Sequence, residues 1–261
     1  MSESSIVAIA NQKGGVGKTT TAINLGAALA ISGHKTILID LDPQGNASTG
    51  LGIEADQRKR TVYDLLAGPE TLQDCAQPTS IKNLLIVPAT SDLSSADVEL
   101  AQAENRTRLL RQKLSQAEAG TIILIDCPPA LGLLTLNAMV ASDAVLVPLQ
   151  AEFYALEGLS QLLTTVKHVR QTGNPNLRIN GILLTMSDNR NNLSQQVEAD
   201  ARATLGDLVF PTVIPRNVRV SEAPSHSKPV ILYDPSSKGS AAYEQFAKEF
   251  AQRLKLVPEN A

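Results

Sequence analysis

Tryptophan is absent from this 261-residue chain, and phenylalanine and tyrosine occur only four times each. So few rings exclude a protein that reads single-stranded nucleic acid by stacking bases on aromatic side chains. Cysteine is nearly as scarce. Cys75 and Cys127 stand far apart and outside any C-x-x-C spacing, and the three histidines are scattered, which leaves no basis for a disulfide framework or a structural zinc site. No uninterrupted apolar run reaches the ~20 residues that span a bilayer. The first residues, Met1 to Ser5, are polar and acidic where a secretory signal would be basic. Together these features predict a cytoplasmic protein. Neither charge dominates: 23 Lys and Arg against 26 Asp and Glu give a net charge of −3. That excludes a histone-like polycation and leaves a local basic patch open.

With 43% hydrophobic and 19% charged residues, the chain has the makings of a folded globule with a sizeable core. Short β-branched runs at Ile6–Ala10, Thr36–Leu41, Leu84–Val87, Thr121–Asp126, Ala144–Leu149 and Arg178–Thr185 read as strands, with a further candidate at Val209–Ile214. Most lack period-two alternation and so predict strands covered on both faces. Helical spacing of apolar residues runs through Thr19–Ile31, Asp92–Ala117, Leu131–Ala141, Ala155–Gln171 and Leu193–Leu205, with Gly33, Gly120 and Gly173 placed as stops. The alternation predicts a mostly parallel, twisted sheet flanked by helices on both faces. No repeat and no Pro/Gly/Ser-rich linker divides it, so residues 1–261 are read as one α/β domain, with Gly45–Arg60 the main irregular loop.

The chemistry starts directly after the first strand, at Lys13-Gly-Gly-Val-Gly-Lys-Thr-Thr20. Gly14, Gly15 and Gly17 let the backbone curl into a nest of inward N–H groups, and the following helix adds its positive end. An anion fits there. The segment satisfies the P-loop pattern G-x-x-x-x-G-K-[ST] only if its first glycine is relaxed, because position 12 is Gln. It is a deviant Walker A loop of a P-loop NTPase. Lys18 is placed to reach the β- and γ-phosphates of ATP, and the Thr19 hydroxyl to sit on Mg2+. Lys13, Val16 and Thr20 complete the predicted nucleotide contacts. A second ammonium in the loop would crowd Lys18 if both faced one triphosphate, so Lys13 is expected to point outward. Asp40 and Asp42 end a strand two residues apart, which puts both carboxylates on one face beside this loop. Ile122-Ile-Leu-Ile-Asp126-Cys-Pro-Pro129 is an apolar strand that ends in an acid, and its prolines then break the strand.

The octapeptide at 13–20 closely resembles the deviant Walker A of the ParA/MinD group of ATPases. Asp40-Leu-Asp-Pro-Gln-Gly45, Asn83-Leu-Leu-Ile-Val-Pro-Ala89, Asp126-Cys-Pro-Pro-Ala-Leu-Gly132, Pro148-Leu-Gln-Ala-Glu-Phe-Tyr-Ala-Leu-Glu-Gly158 and Ile214-Pro-Arg-Asn-Val-Arg-Val-Ser-Glu-Ala-Pro-Ser-His226 narrow it. Over nearly its whole length the chain is similar to the chromosomal, Soj-type ParA partition ATPases.

The resemblance implies that Lys13 reaches across a nucleotide-sandwich homodimer. It implies that Asp42 positions the attacking water, and that Asp40 supports the metal shell or the P-loop lysine. Asp126 resembles a Walker B acid that holds Mg2+ through water, and Pro215 and Asn217 fall where the family contacts adenine. It further implies an ATP-bound dimer on DNA without sequence preference, nucleoid-associated in that state and released when a ParB-type partner stimulates hydrolysis. No cis arginine finger stands out, so slow intrinsic hydrolysis is expected. Only a few residues precede the first strand, so no N-terminal operator-binding module is expected.

Residues 151–261 carry 12 basic and 11 acidic side chains, against 11 and 15 in residues 1–150. Arg190, Arg202, Arg216, Arg219 and Lys228 could form a phosphate-contacting stripe doubled by dimerisation. The family's DNA-contact region singles out Arg202 and Arg219. Tyr243, Phe246, Phe250 and Leu254 form an apolar stripe near the C-terminus, but its polar face mixes both charges. That predicts a helix packed on the sheet, with no stable membrane association, rather than the basic lipid-binding helix of a MinD-like protein. Family relatives that position protein cargo use the same motifs, and that reading stays open. An iron-protein type of electron-transfer ATPase would need cluster-bridging cysteines, which Cys75 and Cys127 do not match.

Overall fold

The computed structural model describes residues 4–103, 105–152, 155–188 and 190–256. Its strands are β1 (Ser5–Ile9), β2 (Thr36–Asp40), β3 (Gln77–Pro78), β4 (Leu84–Val87), β5 (Ile122–Asp126), β6 (Ala144–Gln150) and β7 (Arg178–Thr185). They form a seven-stranded sheet in the order β3-β4-β2-β5-β1-β6-β7. Every pairing is parallel except that of β3 with β4. A short antiparallel edge strand at residues 77–78 carries too little pattern to be read from sequence.

Alternation along the buried strands feeds two separate cores. Ala8, Ile37, Ile39, Ile123, Ile125, Val145 and Val147 face one. Val7, Ile9, Leu38, Leu124, Ala144 and Leu146 face the other. The helices are α1 (Lys18–Ile31), α2 (Asn46–Gly50), α3 (Val62–Ala67), α4 (Leu72–Cys75), α5 (Leu93–Glu99), α6 (Leu109–Leu114), α7 (Leu133–Ala141), α8 (Ala155–Thr172), α9 (Asn192–Leu205), α10 (Val218–Glu222), α11 (Val230–Tyr233) and α12 (Lys238–Leu254). The first core is covered by side chains from α3, α6, α7, α8 and α9, and the second by α1, α11 and α12. In α12, Tyr243, Phe246 and Phe250 are completely enclosed, and Leu254 packs at the margin. The apolar stripe is thus part of the core. Among the described residues no helix is long and apolar enough to cross a membrane.

Three expectations are corrected. The segment Asp92–Ala117 is not one helix. It breaks between α5 and α6, where the buried Asn137 donates to the Arg106 carbonyl (2.7 Å) and accepts from the Leu110 N–H (3.3 Å). The run Val209–Ile214 is no strand. It follows β7 through single hydrogen bonds, Phe210 N–H to the Ile182 carbonyl and Ile214 N–H to the Leu184 carbonyl, while the Thr212 N–H between them, which would continue a ladder, donates to the Glu249 carboxylate at 3.1 Å instead. Gly45–Arg60 is ordered rather than irregular. Arg58 pins it, donating to the carbonyls of Ile53 (3.0 Å) and Ala89 (2.9 Å) and to the Thr49 hydroxyl (2.7 Å). Phe153, Tyr154 and the tail Pro258-Glu-Asn-Ala261, all used in the sequence reading, lie outside the described residues.

The edge at β7 depends on one missing side chain. A Cβ at Gly181 would lie 2.2 Å from the Arg253 guanidinium and 2.5 Å from the Phe210 ring. Arg253 stacks 3.9 Å over that ring and donates to the carbonyls of Asn180, Leu208 and Asp207. Gly181→Ala and Arg253→Ala are each expected to lower the unfolding free energy by about 2 kcal/mol. The measurement is the urea midpoint at unchanged m-value.

Candidate functional site

Parallel strands send their carboxyl ends to one edge of the sheet, and here that edge collects the charges. The loop from β1 to α1 carries Lys13 to Gly17. Gly15 (φ 73°) and Gly17 (φ 86°) hold left-handed backbone that L-residues with side chains rarely adopt. Gly17 is the N-cap of α1, yet no side chain caps this end and no acid occupies the first turn. The leading amides and the positive end of the dipole are therefore left for an external anion. Among the described residues, apart from each glycine's own chain neighbours, no atom lies within 4 Å of where a Cβ on Gly14 or Gly15 would be. The outer wall of the loop is open.

Lys18 is buried, and its ammonium donates to the Lys13 carbonyl at 3.0 Å across the mouth of the loop. Burial lowers its pKa, while Asp126, Cys127 and Asp42 pull it back up. Lys13 points away, and its exposed ammonium pairs with Glu152 at 2.5 Å, while Gln150 donates to the same carboxylate. Thr19 and Thr20 follow at the half-buried start of α1. Val16 is enclosed behind the loop.

The strand-end acids separate into different roles. Asp40 and Asp126 stand opposite each other in register on β2 and β5, and both are fully buried. Asp40 accepts from the Ser48 N–H (2.8 Å), the Ser48 hydroxyl (2.6 Å) and the Asp42 N–H (3.3 Å). Burial pushes its pKa up to about 6 against those hydrogen bonds. Since both oxygens hold the turn after β2, Asp40 supports the site rather than facing it. Asp126 has the reverse environment. Neither of its carboxylate oxygens has a hydrogen-bond partner of normal geometry among the described residues. Burial first, and Asp40 next, drive its pKa far above the usual carboxylate range, with Thr19 and Lys18 the nearby groups that favour its charge. A buried, unpartnered carboxylate beside a threonine hydroxyl suits a hard divalent cation such as Mg2+. Asp42, half-exposed at the lip, accepts from the Gln44 N–H at 3.0 Å.

Next to the loop lies a cleft of about 90 Å3 whose lining includes Gly17, Thr185, Met186, Pro215, Asn217 and Tyr243. Pro215 and Asn217 thus come to the phosphate site, held by the Ser187–Pro215 bridge. The Asn217 side-chain oxygen accepts from Arg219 N–H at 2.8 Å and caps α10. Tyr243 forms the floor, its phenol pushed up to about 12 by burial.

The two arginines singled out for DNA fare differently. Arg202 is committed to Glu198 and to the carbonyls of Phe210 and Pro211 at 3.2 Å. Its guanidinium holds α9 to the following loop. Arg219 is exposed but paired with Glu222 and Asp234, and Arg190 is paired with Asp188. Arg216 and Lys228 are exposed and make no ion pair with described residues. Glu152, Ser48 and Thr185 belong to the site yet were not singled out in the sequence, because each acts through a partner distant along the chain.

With this geometry in hand, the comparisons are specific. The family described as an AAA domain matches residues 4–179. The chromosome partitioning protein ParA of Caulobacter vibrioides is 56% identical over 251 residues, covering 95% of this chain and 94% of that protein. The sporulation initiation inhibitor protein Soj of Bacillus subtilis is 52% identical over 94% of this chain and 98% of its own. Among solved structures, the cobyrinic acid a,c-diamide synthase of Mycobacterium smegmatis with bound ADP and magnesium superposes with a TM-score of 0.83 at 35% identity, over 98% of this chain and 96% of that one. A likeness this close to ParA and Soj, over nearly the full length of each, makes this chain a member of the ParA/Soj family of chromosome-partitioning ATPases.

Proposed function

We propose that the protein hydrolyses ATP to switch between a DNA-bound dimer and a free monomer. The observation that carries this reading is the uncapped, glycine-lined start of α1 facing the unpartnered Asp126. The loop amides and Lys18 hold the phosphates, Thr19 and Asp126 hold Mg2+, and Pro215 with Asn217 lines the adenine site. Bound Mg2+ would neutralise phosphate charge as the γ-phosphoryl group is transferred. Asp42, at the lip and free of the constraints on Asp40, orients the attacking water. Arg216 lines the cleft beside Gly17 and Thr20, but no arginine finger stands out in the sequence, so hydrolysis is slow until a ParB-type partner or the dimer adds positive charge.

Lys13 is the cross-subunit element. Its pair with Glu152 holds the ammonium at the outer wall, ready to exchange that carboxylate for a phosphate on a second copy. Dimerisation also doubles the surface bearing Arg216, Arg219 and Lys228, which we assign to DNA backbone contact. Binding without base reading follows from charge alone. A MinD-like membrane role is disfavoured because the aromatic stripe of α12 is already used in the core. A protein-cargo role would use the same nucleotide cycle, and retention on DNA separates the two.

Lys18→Ala is expected to abolish ATP uptake in calorimetry. Asp42→Ala should bind ATP with near-normal affinity and turn over at least ~100-fold more slowly, the scale of removing a positioning group. Normal hydrolysis by that variant would refute the role given to Asp42.

A Cβ at Gly14 meets nothing within 4 Å among the described residues beyond its own chain neighbours. Gly14→Val should therefore leave the thermal midpoint of the monomer unchanged and eliminate the ATP-dependent dimer in light scattering.

Reversing Arg216 and Lys228 to Glu should remove ATP-dependent DNA retention and flatten its salt dependence by about two charges per copy. Arg202→Ala should instead lower stability.

A further inference from the structure

Thr185, the last residue of β7, belongs to none of the nucleotide motifs. It is 2% exposed, and its hydroxyl donates to the Val16 carbonyl at 2.8 Å, joining the far side of the sheet to the middle of the phosphate loop. Val16 is equally enclosed at 1%, so that carbonyl has no access to solvent in place of the hydroxyl.

The direction of this bond has a consequence at the other end of the same peptide group. A trans peptide is planar, with its N–H antiparallel to its C=O, and the described residues contain no cis peptide. Fixing the Val16 carbonyl toward β7 therefore aims the Gly17 N–H the other way, into the nest at the start of α1. Nothing local enforces that choice. Glycine tolerates backbone torsions of either sign, so the Val16–Gly17 peptide is free to rotate unless held from outside. Turned over, it would present a carbonyl oxygen to the phosphates where a donor is needed.

The strand end is placed to do this holding. Thr185 carbons lie 3.9 Å, and the Met186 methyl 3.6 Å, from where a Gly17 side chain would start. Met186 then takes φ 53°, and Ser187 bridges to Pro215, so the same strand end continues into the wall of the base cleft.

We propose that Thr185 is a positioning residue: its hydroxyl sets the Val16–Gly17 peptide so that the Gly17 amide faces the phosphates, coupling the phosphate nest to the base cleft. This assignment rests on the ATP reading above and extends it to a residue that touches neither the phosphates nor the metal.

The test compares Thr185→Val, which keeps the shape and removes the donor, with Thr185→Ser, which keeps the donor and removes a methyl group. Calorimetric titration of the full chain with Mg-ATP and with Mg-ADP is the readout, and thermal melting reports folding. Thr185→Val is expected to bind both nucleotides roughly tenfold more weakly, the scale of one lost buried hydrogen bond. Thr185→Ser should stay within about twofold of the parent protein, because its hydroxyl still reaches the same carbonyl. Should Thr185→Val fail to fold, Thr185→Ala takes its place against the serine variant. Unchanged affinity in the valine or alanine variant, or equal weakening in the serine variant, would overturn the assignment. Failure of the parent protein to bind either nucleotide would instead overturn the ATP reading, and this assignment with it.

Discussion

Two opposed electrostatic demands meet at one edge of the sheet, and the rest of the site is arranged around them. The start of α1 presents amides and a positive dipole end with no capping side chain. At the same edge of the sheet, the in-register ends of β2 and β5 place Asp40 and Asp126 side by side in the interior. One feature calls for an anion and the other for a cation. A magnesium nucleotide is both, which explains why neither demand is met from within the chain. Filling the nest with an acidic cap, or pairing Asp126 with an arginine, would stabilise the empty protein and remove the reason to bind.

The contrast between the two aspartates shows how the fold assigns roles to identical side chains. Both end an apolar strand and both suffer the desolvation that raises a buried carboxylate. Asp40 is given Ser48, which satisfies one oxygen twice and in turn accepts from the Ala89 N–H at 3.1 Å. Arg58 clamps the other side of the same turn through Ala89 and Thr49. The turn carrying Asp42 is thereby fixed from two directions, which suits the water-orienting role proposed for it. Asp126 receives no such partner and keeps its lone pairs for a ligand.

What was legible in the sequence follows the same division. The glycine-rich loop is a local object: glycines and a lysine at fixed offsets between a strand and a helix determine its shape, and the structure has it joining β1 to α1 as the sequence pattern requires. Strand-end acids are legible because a parallel sheet sends them to one edge. Distant pairings are not legible. Nothing near Arg202 announces that it will bind the carbonyls of Phe210 and Pro211, and nothing near Asn137 shows that it will divide the 92–117 segment by capturing Arg106 and Leu110. Periodicity extended that helix across a polar stretch because a buried amide from another helix is invisible to a local window. The Val209–Ile214 run fails for a related reason: its β-branched residues do lie along β7, but Thr212 between them is taken by Glu249 from α12, a partner distant along the chain.

The Lys13–Glu152 pair shows why a strong-looking contact suits an exchangeable role. Both side chains are more than 40% exposed, and ion pairs in that setting contribute only about 0–1 kcal/mol, since water and salt screen them and ordering two long side chains opposes them. The pair therefore orients Lys13 without locking it. A phosphate in a water-excluded interface between two copies offers the same ammonium a doubly charged partner and a lower dielectric, where each charge contact is stronger. The exchange from Glu152 to phosphate then runs downhill only when a triphosphate and a second copy are both present. Lys18, enclosed in its own loop and bonded to the Lys13 carbonyl, has no such freedom. The two lysines of one loop are thus divided by burial alone: in the proposed dimer the buried one belongs to its own nucleotide, and the exposed one is available to its neighbour's.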